Sequence, residues 1–360
     1  MLDYTKLNLH NLEPYQGEYI YTIINNIVEN CDIITCTEFE RDYLNNNDDL
    51  EQRIANSLSN NKTVMWMGDE EGLYVHDHEV LVETFNKFKN DNFFYITEFY
   101  KHDHLNEMYG LDCKVIHIPW QFLNQIICYD QLKIPLNTKA GNDYSFINLN
   151  NKLRKHRYEL ISELHKKDLA QYGFISLTNK NDLEFFANFK NLNVKLNDEP
   201  YIDRVAPGFP KDYPFERGRQ FEDGLLVSGN VTNFKILQNQ YYDIPLVINT
   251  ESYIGSYFNT ATEKSSWPIL LGKMFLIYGD PGIMQWIQQF YDIDMSKYLD
   301  LTFDTNTENR LSRMLEDNRD IIINSKHVFY ELKKDIHNAR YTFVENLYQY
   351  FLNQLDKLQE

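Results

Sequence analysis

Apolar runs of four or five residues recur along the chain and alternate with stretches of helical spacing. In the first part, the runs Thr63–Met67, Phe93–Thr97 and Val115–Ile118 are predicted strands, and the first of them ends abruptly at Gly68. Short apolar runs that are bounded by turn residues and alternate with helices indicate a parallel sheet with helices on its faces. We therefore predict a first α/β domain over residues 1–135.

The same alternation returns after a turn-rich linker at residues 132–142. A strand begins at Tyr144, a helix follows from about Arg154 to Lys167, and strand character returns at Leu246–Ile248 and at Met274–Tyr278. Residues 179–229 are rich in proline and glycine, and they read as an irregular insertion. These elements predict a second α/β domain over residues 142–330.

The C-terminal part of the chain has a single amphipathic pattern. Between Val328 and Leu358 the apolar residues recur at steps of three, four or seven, which is the spacing of one helix face. Such a face must be buried against something. Residues 331–360 are therefore predicted to pack across the two domains or in a homodimer.

Charge limits the kinds of partner that the protein can have. The formal net charge is −18, from 53 acidic and 35 basic residues among 360. Binding to nucleic acid depends on basic groups that displace counterions, so nucleic acid is disfavoured as a general partner. No apolar run approaches the roughly 20 residues that span a bilayer, and the N-terminal residues lack the pattern of a signal peptide. We expect a cytoplasmic protein, in the host cytoplasm if the source is viral.

The segment from Leu246 to Gly282 carries three short runs in a fixed order. They are Asn249-Thr250-Glu251-Ser252, Thr262-Glu263-Lys264, and the strand-like stretch from Gly272 to Gly279. This order resembles the donor-binding signature of α1,3-fucosyltransferase-like enzymes and related viral glycosyltransferases, approximately F-E-N, T-E-K and G-x-P-(V/F)-x-x-G. Ser252 stands where that family has asparagine, and Met274 where it has proline.

Two further positions share the resemblance. Arg157 falls where the family places an arginine in the helix after the first strand of the donor domain. Gly68-Asp69-Glu70 is similar to the family's Gly-Glu-Asn turn in the acceptor domain. The resemblance implies two Rossmann-like domains that face a cleft (the GT-B type). The second domain would bind a nucleotide-sugar donor, and the first would bind a glycan or another hydroxyl acceptor.

The residue types suit a nucleotide sugar independently of the resemblance. A diphosphate needs cations or helix N-termini, which Arg157 and Lys264 supply, and a ribose diol needs a carboxylate, which Glu251 or Glu263 supplies. With cations present, the charge of the leaving group can be neutralised without a metal ion. We therefore predict neither a metal nor a cofactor. The predicted donor site comprises Arg157, Asn249, Glu251, Tyr253, Thr262, Glu263 and Lys264.

An inverting transfer also needs a base that removes the proton of the acceptor hydroxyl. Asp69, Glu70 and Glu71 directly follow the predicted strand that ends at Met67. Carboxylates at the end of such a strand lie where open α/β sheets bind ligands. We predict that this acidic turn supplies the base, with Glu70 slightly preferred.

Two other functions stay open at this point. A non-catalytic nucleotide-sugar or glycan-binding protein would keep the same site without transfer, and a phage-type enzyme would glycosylate modified bases in DNA. Asp292-Ile293-Asp294 has the form of a DxD metal motif, but it follows the donor signature instead of ending an early strand. We interpret these two aspartates as loop acids.

Overall fold

The structure is a computed structural model with two compact units. It describes residues 24, 28, 30–35, 49–67, 86–88, 92–98, 100, 114–119, 122–123, 125–126, 140, 144–150, 155–177, 243–251, 254, 261–305 and 308–358. The first unit comprises residues 1–131, 255–263 and 344–360, and the second comprises residues 132–254 and 264–343. Each unit contains one sheet of four parallel strands.

The first unit has its strands in sequence order. These are β1 (Cys31–Thr35), β2 (Thr63–Met67), β3 (Phe93–Thr97) and β4 (Lys114–His117), and helix α1 (Asp49–Ser59) connects β1 to β2. The side chains of Phe93–Ile96 are all buried, as expected for a parallel strand that is covered on both faces. These apolar residues form the core of the first unit.

A polar contact holds α1 against β1. Asp32 accepts hydrogen bonds from the Arg53 guanidinium and from the Ser57 hydroxyl. Burial acts to raise the pKa of Asp32, but these bonds and the Arg53 charge hold it below its usual value. The ionised carboxylate therefore helps to fix the helix on the edge of the sheet.

The second unit reverses its strand order in the middle of the sheet. Its elements are β5 (Phe146–Asn150), α2 (Lys155–Lys166), β6 (Gly173–Leu177), β7 (Leu246–Thr250), α3 (Glu263–Leu270) and β8 (Met274–Tyr278). The spatial order is β6-β5-β7-β8, so the chain leaves β5 towards one edge and β7 towards the other. Right-handed crossovers then place α2 and α3 on opposite faces of the sheet. The reversal between β5 and β7 is a topological switch point.

Three further α-helices follow β8 in the described part of the chain. They are α4 (Ile283–Gln288), α5 (Arg310–Asp317) and α6 (Arg319–Asp356), and α6 has a kink at Asn324. Helix α6 begins before the predicted start at Val328. Its residues up to Phe343 belong to the second unit, and those from Val344 belong to the first.

The prediction of an α/β protein with parallel sheets is confirmed. The arrangement of the two domains across a cleft stays a prediction, as does the packing of residues 331–360. The predicted insertion at 179–229 lies outside the described residues. No helix in the described part of the chain is both long and apolar enough to cross a membrane.

Candidate functional site

The backbone pairing of strands β5 and β7 is short at the switch point. Their backbone pairing covers two residue pairs, ending at Ile147 and Val247, whereas the pairing between β7 and β8 covers five. Beyond the last pair, the Asn148 side-chain amide donates to the Ile248 carbonyl at 2.6 Å. The backbone pairing therefore ends before the carboxyl ends of the two strands, at the switch point where open α/β sheets bind ligands.

The carboxyl end of β5 carries buried amides. Asn150 Nδ2 donates to Asn148 Oδ1 at 2.6 Å, which extends the contact with Ile248 into a short chain of hydrogen bonds. Both asparagines are buried. Because each Nδ2 atom is held by an acceptor, the orientations of both amides are defined.

Asn249 lies next to this chain with one polar atom left over. Its Nδ2 donates to the backbone carbonyl of Lys264 at 3.5 Å, and its side chain is 6% exposed. Its Oδ1 is buried and has no hydrogen-bond partner within the described residues, and the same holds for the Thr250 hydroxyl. Buried acceptors in folded proteins are nearly always satisfied. We therefore expect the Asn249 oxygen to accept a hydrogen bond from a group outside the described residues.

Glu251 lies deeper than the sequence suggested. Its side chain is fully buried, and its Oε1 accepts a hydrogen bond from the Ser265 hydroxyl in the first turn of α3. Its backbone N–H donates to the Tyr278 carbonyl at 2.9 Å. A Cβ atom at Gly279 would lie 3.1 Å from the Glu251 Cγ, so the glycine allows a close approach. Glu251 therefore joins the ends of β7 and β8 to the start of α3.

The two predicted cations begin helices on either side of the sheet. Lys264 is half-buried in the first turn of α3, two residues after the buried Thr262, and Arg157 is buried in the first turn of α2. Both helices start at the carboxyl edge of the sheet, because each follows a parallel strand. The structure thus brings the N-termini of both helices to the same edge. There the helix dipoles and the cations favour negative charge.

A buried arginine at this edge was not predicted from the sequence. Arg310 of α5 donates from Nη1 to the Gly279 carbonyl at 3.0 Å and from Nε to the Phe303 carbonyl at 3.2 Å. Its guanidinium lies 5.3 Å from the centre of the Tyr278 ring. Burial raises the pKa of Tyr278, and the Arg310 charge partly offsets this rise. Arg310 therefore fixes the turn that follows β8.

Asp304 completes this buried cluster. Its Oδ1 lies 3.7 Å from the Arg310 Nη2, and its Oδ2 accepts from the Gln285 backbone N–H at 3.0 Å. Burial raises the pKa of Asp304, while the Gln285 amide and the Arg310 charge act in the opposite direction. The Gly282 N–H also donates to the Asp304 carbonyl, at 2.9 Å. Together these contacts hold residues 279–282 at the carboxyl end of β8.

Several predicted residues lie outside what the structure describes. Asp69, Glu70, Glu71 and Tyr253 are among them, and for Glu263 only the backbone at the start of α3 is described. Their predicted roles stay predictions.

The second aspartate of the DxD-like run has a local role. Asp294 accepts hydrogen bonds from the Ser296 N–H at 3.0 Å and from the Ser296 hydroxyl at 2.6 Å. These bonds cap the short 3₁₀ turn Met295–Lys297 and lower the pKa of Asp294. Across the ranges given above, no group of three or more His, Cys, Asp or Glu side chains could hold a metal ion.

Comparison with known proteins gives no relative. No protein-family model, no curated protein and no solved structure matches this chain. Function therefore has to be inferred from the site itself.

Proposed function

We propose that the protein is a glycosyltransferase that moves a sugar from a nucleotide-sugar donor to a hydroxyl acceptor without a metal ion. The second unit would bind the donor at its switch point, and the first would bind the acceptor and supply the base. The facing of the two domains across a cleft, as in glycosyltransferases of the GT-B type, is part of this proposal, and so is inversion at the anomeric carbon.

One observation carries the proposal. The backbone pairing of β5 and β7 ends after two residue pairs, and beside that end lies a buried Asn249 oxygen without a partner among the described residues. An acceptor of this kind is matched by a hydroxyl or an N–H group of a ligand, and a diphosphate offers neither. A nucleotide sugar carries both kinds of group on one molecule, since its ribose and sugar hydroxyls adjoin the diphosphate.

Each candidate residue at the carboxyl edge of the second sheet then has a distinct role. Lys264 and Arg157 would neutralise the diphosphate together with the helix N-termini, and Asn249 would accept from a donor hydroxyl. Because Glu251 is fully buried against Ser265, we assign it to holding the start of α3. The ribose contact is then assigned to the other predicted carboxylate, Glu263.

The chemistry requires that negative charge on the leaving nucleotide be stabilised as the glycosidic bond breaks. Fixed cations in a water-poor site can provide this stabilisation, because their attraction is stronger at low dielectric. The base would come from Asp69, Glu70 or Glu71, as predicted from the sequence. A reaction of this design should persist in the presence of a chelator.

A thermal-shift screen against GDP-, UDP-, ADP- and CMP-linked sugars tests donor binding directly. A donor at 100 times its Kd should stabilise the fold by about 2.7 kcal/mol. Lys264→Ala should abolish this shift, whereas Lys297→Ala, an exposed lysine of the same unit, should keep it. A Lys264→Ala variant with full donor affinity would contradict the proposed site.

Nucleotide release then separates transfer from mere binding. Protein that binds a donor but releases no nucleotide, with water or with offered acceptors, would be a binding protein instead. Release that depends on added DNA and weakens steeply with salt would indicate a DNA acceptor.

A further inference from the structure

The carboxyl end of β7 has a second buried polar atom, to which the proposed donor site assigns no role. Thr250 is the last residue of the strand and is 3% exposed, and its hydroxyl oxygen has no hydrogen-bond partner among the described residues. The pairing of β7 with β5 ends at Val247, so in the described sheet Thr250 is paired with Tyr278 of β8 alone. The hydroxyl is therefore buried at the switch point without a hydrogen bond from the described residues.

Thr250 and Asn249 point to opposite faces of the second sheet, because successive side chains of a strand alternate. Asn249 lies on the face that α3 covers, since its Nδ2 donates to the Lys264 carbonyl at 3.5 Å. Paired residues of neighbouring parallel strands point to the same face, so Thr250 lies on the same face as Tyr278. This face is the one opposite α3.

Helices α2 and α5 lie on the face of Thr250. The Arg310 guanidinium of α5 lies 5.3 Å from the centre of the Tyr278 ring, and α5 contacts both α2 and β8. Burial raises the pKa of Tyr278, and the charge of Glu159 on α2 adds to this rise, which also places α2 near Tyr278. The Tyr278 side chain is partly exposed, so solvent reaches this face of the sheet beside Thr250.

The two polar atoms at the end of β7 together define how a ligand would lie. A molecule that forms hydrogen bonds with both has to pass over the carboxyl end of the strand, with one end on the face of α3 and the other on the face of α2. Its middle then lies near the N-termini of these two helices, which favour negative charge. A nucleotide sugar has its groups in this order, because the diphosphate separates the ribose from the transferred sugar.

We propose, on the basis of the transferase function above, that the donor lies across the end of β7 and that the Thr250 hydroxyl binds a hydroxyl group of the transferred sugar. The proposed function assigns the ribose to the start of α3, so the sugar reaches the opposite face, where Thr250 lies. A threonine hydroxyl can both donate and accept, as a sugar hydroxyl can, and the two groups can therefore bond in either direction. Thr250 then contributes to the affinity for the sugar and not to the affinity for the nucleotide.

The ligand-free protein offers a first test, because Thr250→Val has nearly the same shape and lacks the hydroxyl. Replacing a buried hydroxyl that has no partner by an apolar group of the same shape removes a desolvation cost. The variant should therefore keep or exceed the wild-type unfolding temperature when no ligand is present. A lower unfolding temperature would show that the hydroxyl already has a partner in the folded protein, and it would overturn the proposal.

The second test measures the affinity of the full chain for two ligands by calorimetry. One is the nucleotide sugar that gives the largest thermal shift, and the other is the nucleoside diphosphate that remains when its sugar is removed. Thr250→Val should bind the nucleotide sugar about tenfold more weakly, because the sugar loses a hydrogen-bond partner. Its affinity for the nucleoside diphosphate should be unchanged. Thr250→Ser is the matched control, because it retains a hydroxyl and should bind both ligands as the wild type does.

Different failures have different meanings. If the wild type binds neither ligand, the transferase function is wrong and the orientation of the donor is wrong with it. If Thr250→Val weakens the binding of both ligands equally, the hydroxyl contacts the nucleotide. If it changes neither affinity, the hydroxyl contacts no part of the donor. Each of these last two results overturns the sugar contact and leaves the transferase function standing.

Discussion

A buried lysine at the opposite end of the second sheet gives the sharpest test of the fold. Lys273 directly precedes β8, has no exposed surface, and donates from Nζ to the Ile244 carbonyl ahead of β7. Burial lowers the pKa of Lys273 well below 10.5, and the charge of Asp243 acts in the opposite direction. Lys273→Met replaces the titratable amino group with an unbranched apolar chain that cannot titrate.

The sign of the pH effect follows from proton binding. Between the lowered pKa of the folded state and the unfolded value of 10.5, the unfolded chain binds more protons at Lys273 than the folded protein does. Stability therefore rises with pH across this window, and the contribution is constant below the folded pKa. One proton gives a slope of at most about 1.4 kcal/mol per pH unit. This slope should vanish in Lys273→Met.

A second effect of the substitution does not disturb the test. Methionine leaves the Ile244 carbonyl without its hydrogen bond, at a cost of about 1–3 kcal/mol. That cost is the same at every pH, because the carbonyl does not titrate. The difference between variant and wild type at a single pH mixes both effects, whereas its change with pH reports the lysine alone.

The measurement is urea unfolding at intervals between about pH 7 and pH 10, followed by tryptophan fluorescence. Trp267 and Trp286 are buried in the same unit as Lys273 and report its unfolding. Lys297→Met is the matched control, because Lys297 is exposed and its removal should keep the wild-type slope. Parallel stability curves for the wild type and Lys273→Met would refute the buried position of this lysine.

Two further substitutions test the packing of the second unit by the same unfolding measurement. Gly173→Ala should lower the free energy of unfolding by at least about 1–3 kcal/mol, because its Cβ would lie 2.1 Å from the Phe146 ring. Adding Phe146→Leu to this variant should recover part of the loss. An unchanged unfolding midpoint for Gly173→Ala would contradict the contact. Arg310→Met should lower the free energy of unfolding by about 3–5 kcal/mol, since it leaves the buried Asp304 carboxylate without its countercharge and the Gly279 carbonyl without its donor. Adding Asp304→Asn should restore part of this stability, and a loss under about 1 kcal/mol for Arg310→Met alone would show that the pair is not buried.

The local elements could be predicted because their signal is local. The strands Thr63–Met67, Phe93–Thr97 and Met274–Tyr278 have the bounds that the apolar runs and their flanking turn residues indicated. A strand of a parallel sheet is buried on both faces, so its sequence is apolar without a break and its ends are marked by polar turns. The start of helix α6 was predicted at Val328, whereas the helix begins at Arg319. The kink at Asn324 lies between these two positions, and it interrupts the single-face pattern on which the prediction was based.

The positions of some candidate site residues could be predicted, while their role in donor binding stays a prediction. Asn249, Glu251 and Lys264 do lie around the start of α3, as the order of short runs along the chain suggested. The depth of Glu251 could not be predicted, because it depends on how closely Gly279 of the neighbouring strand approaches. Arg310 was missed because a lone arginine in an amphipathic helix has the same sequence pattern whether it faces solvent or a carbonyl.

The sequence by itself determined the α/β class, the bounds of three strands and the types of residue available for a phosphorylated ligand. These properties depend on neighbours within a few residues, where hydrophobic periodicity and turn chemistry act. Tertiary structure alone decided the order β6-β5-β7-β8 and hence the position of the switch point. It also decided the contacts of Asn148 with Ile248 and of His117 with Tyr350, which join residues 100 and 233 positions apart. Such pairings depend on which elements pack together, and the free energy that selects them comes from burial across the whole unit and not from any short stretch of chain.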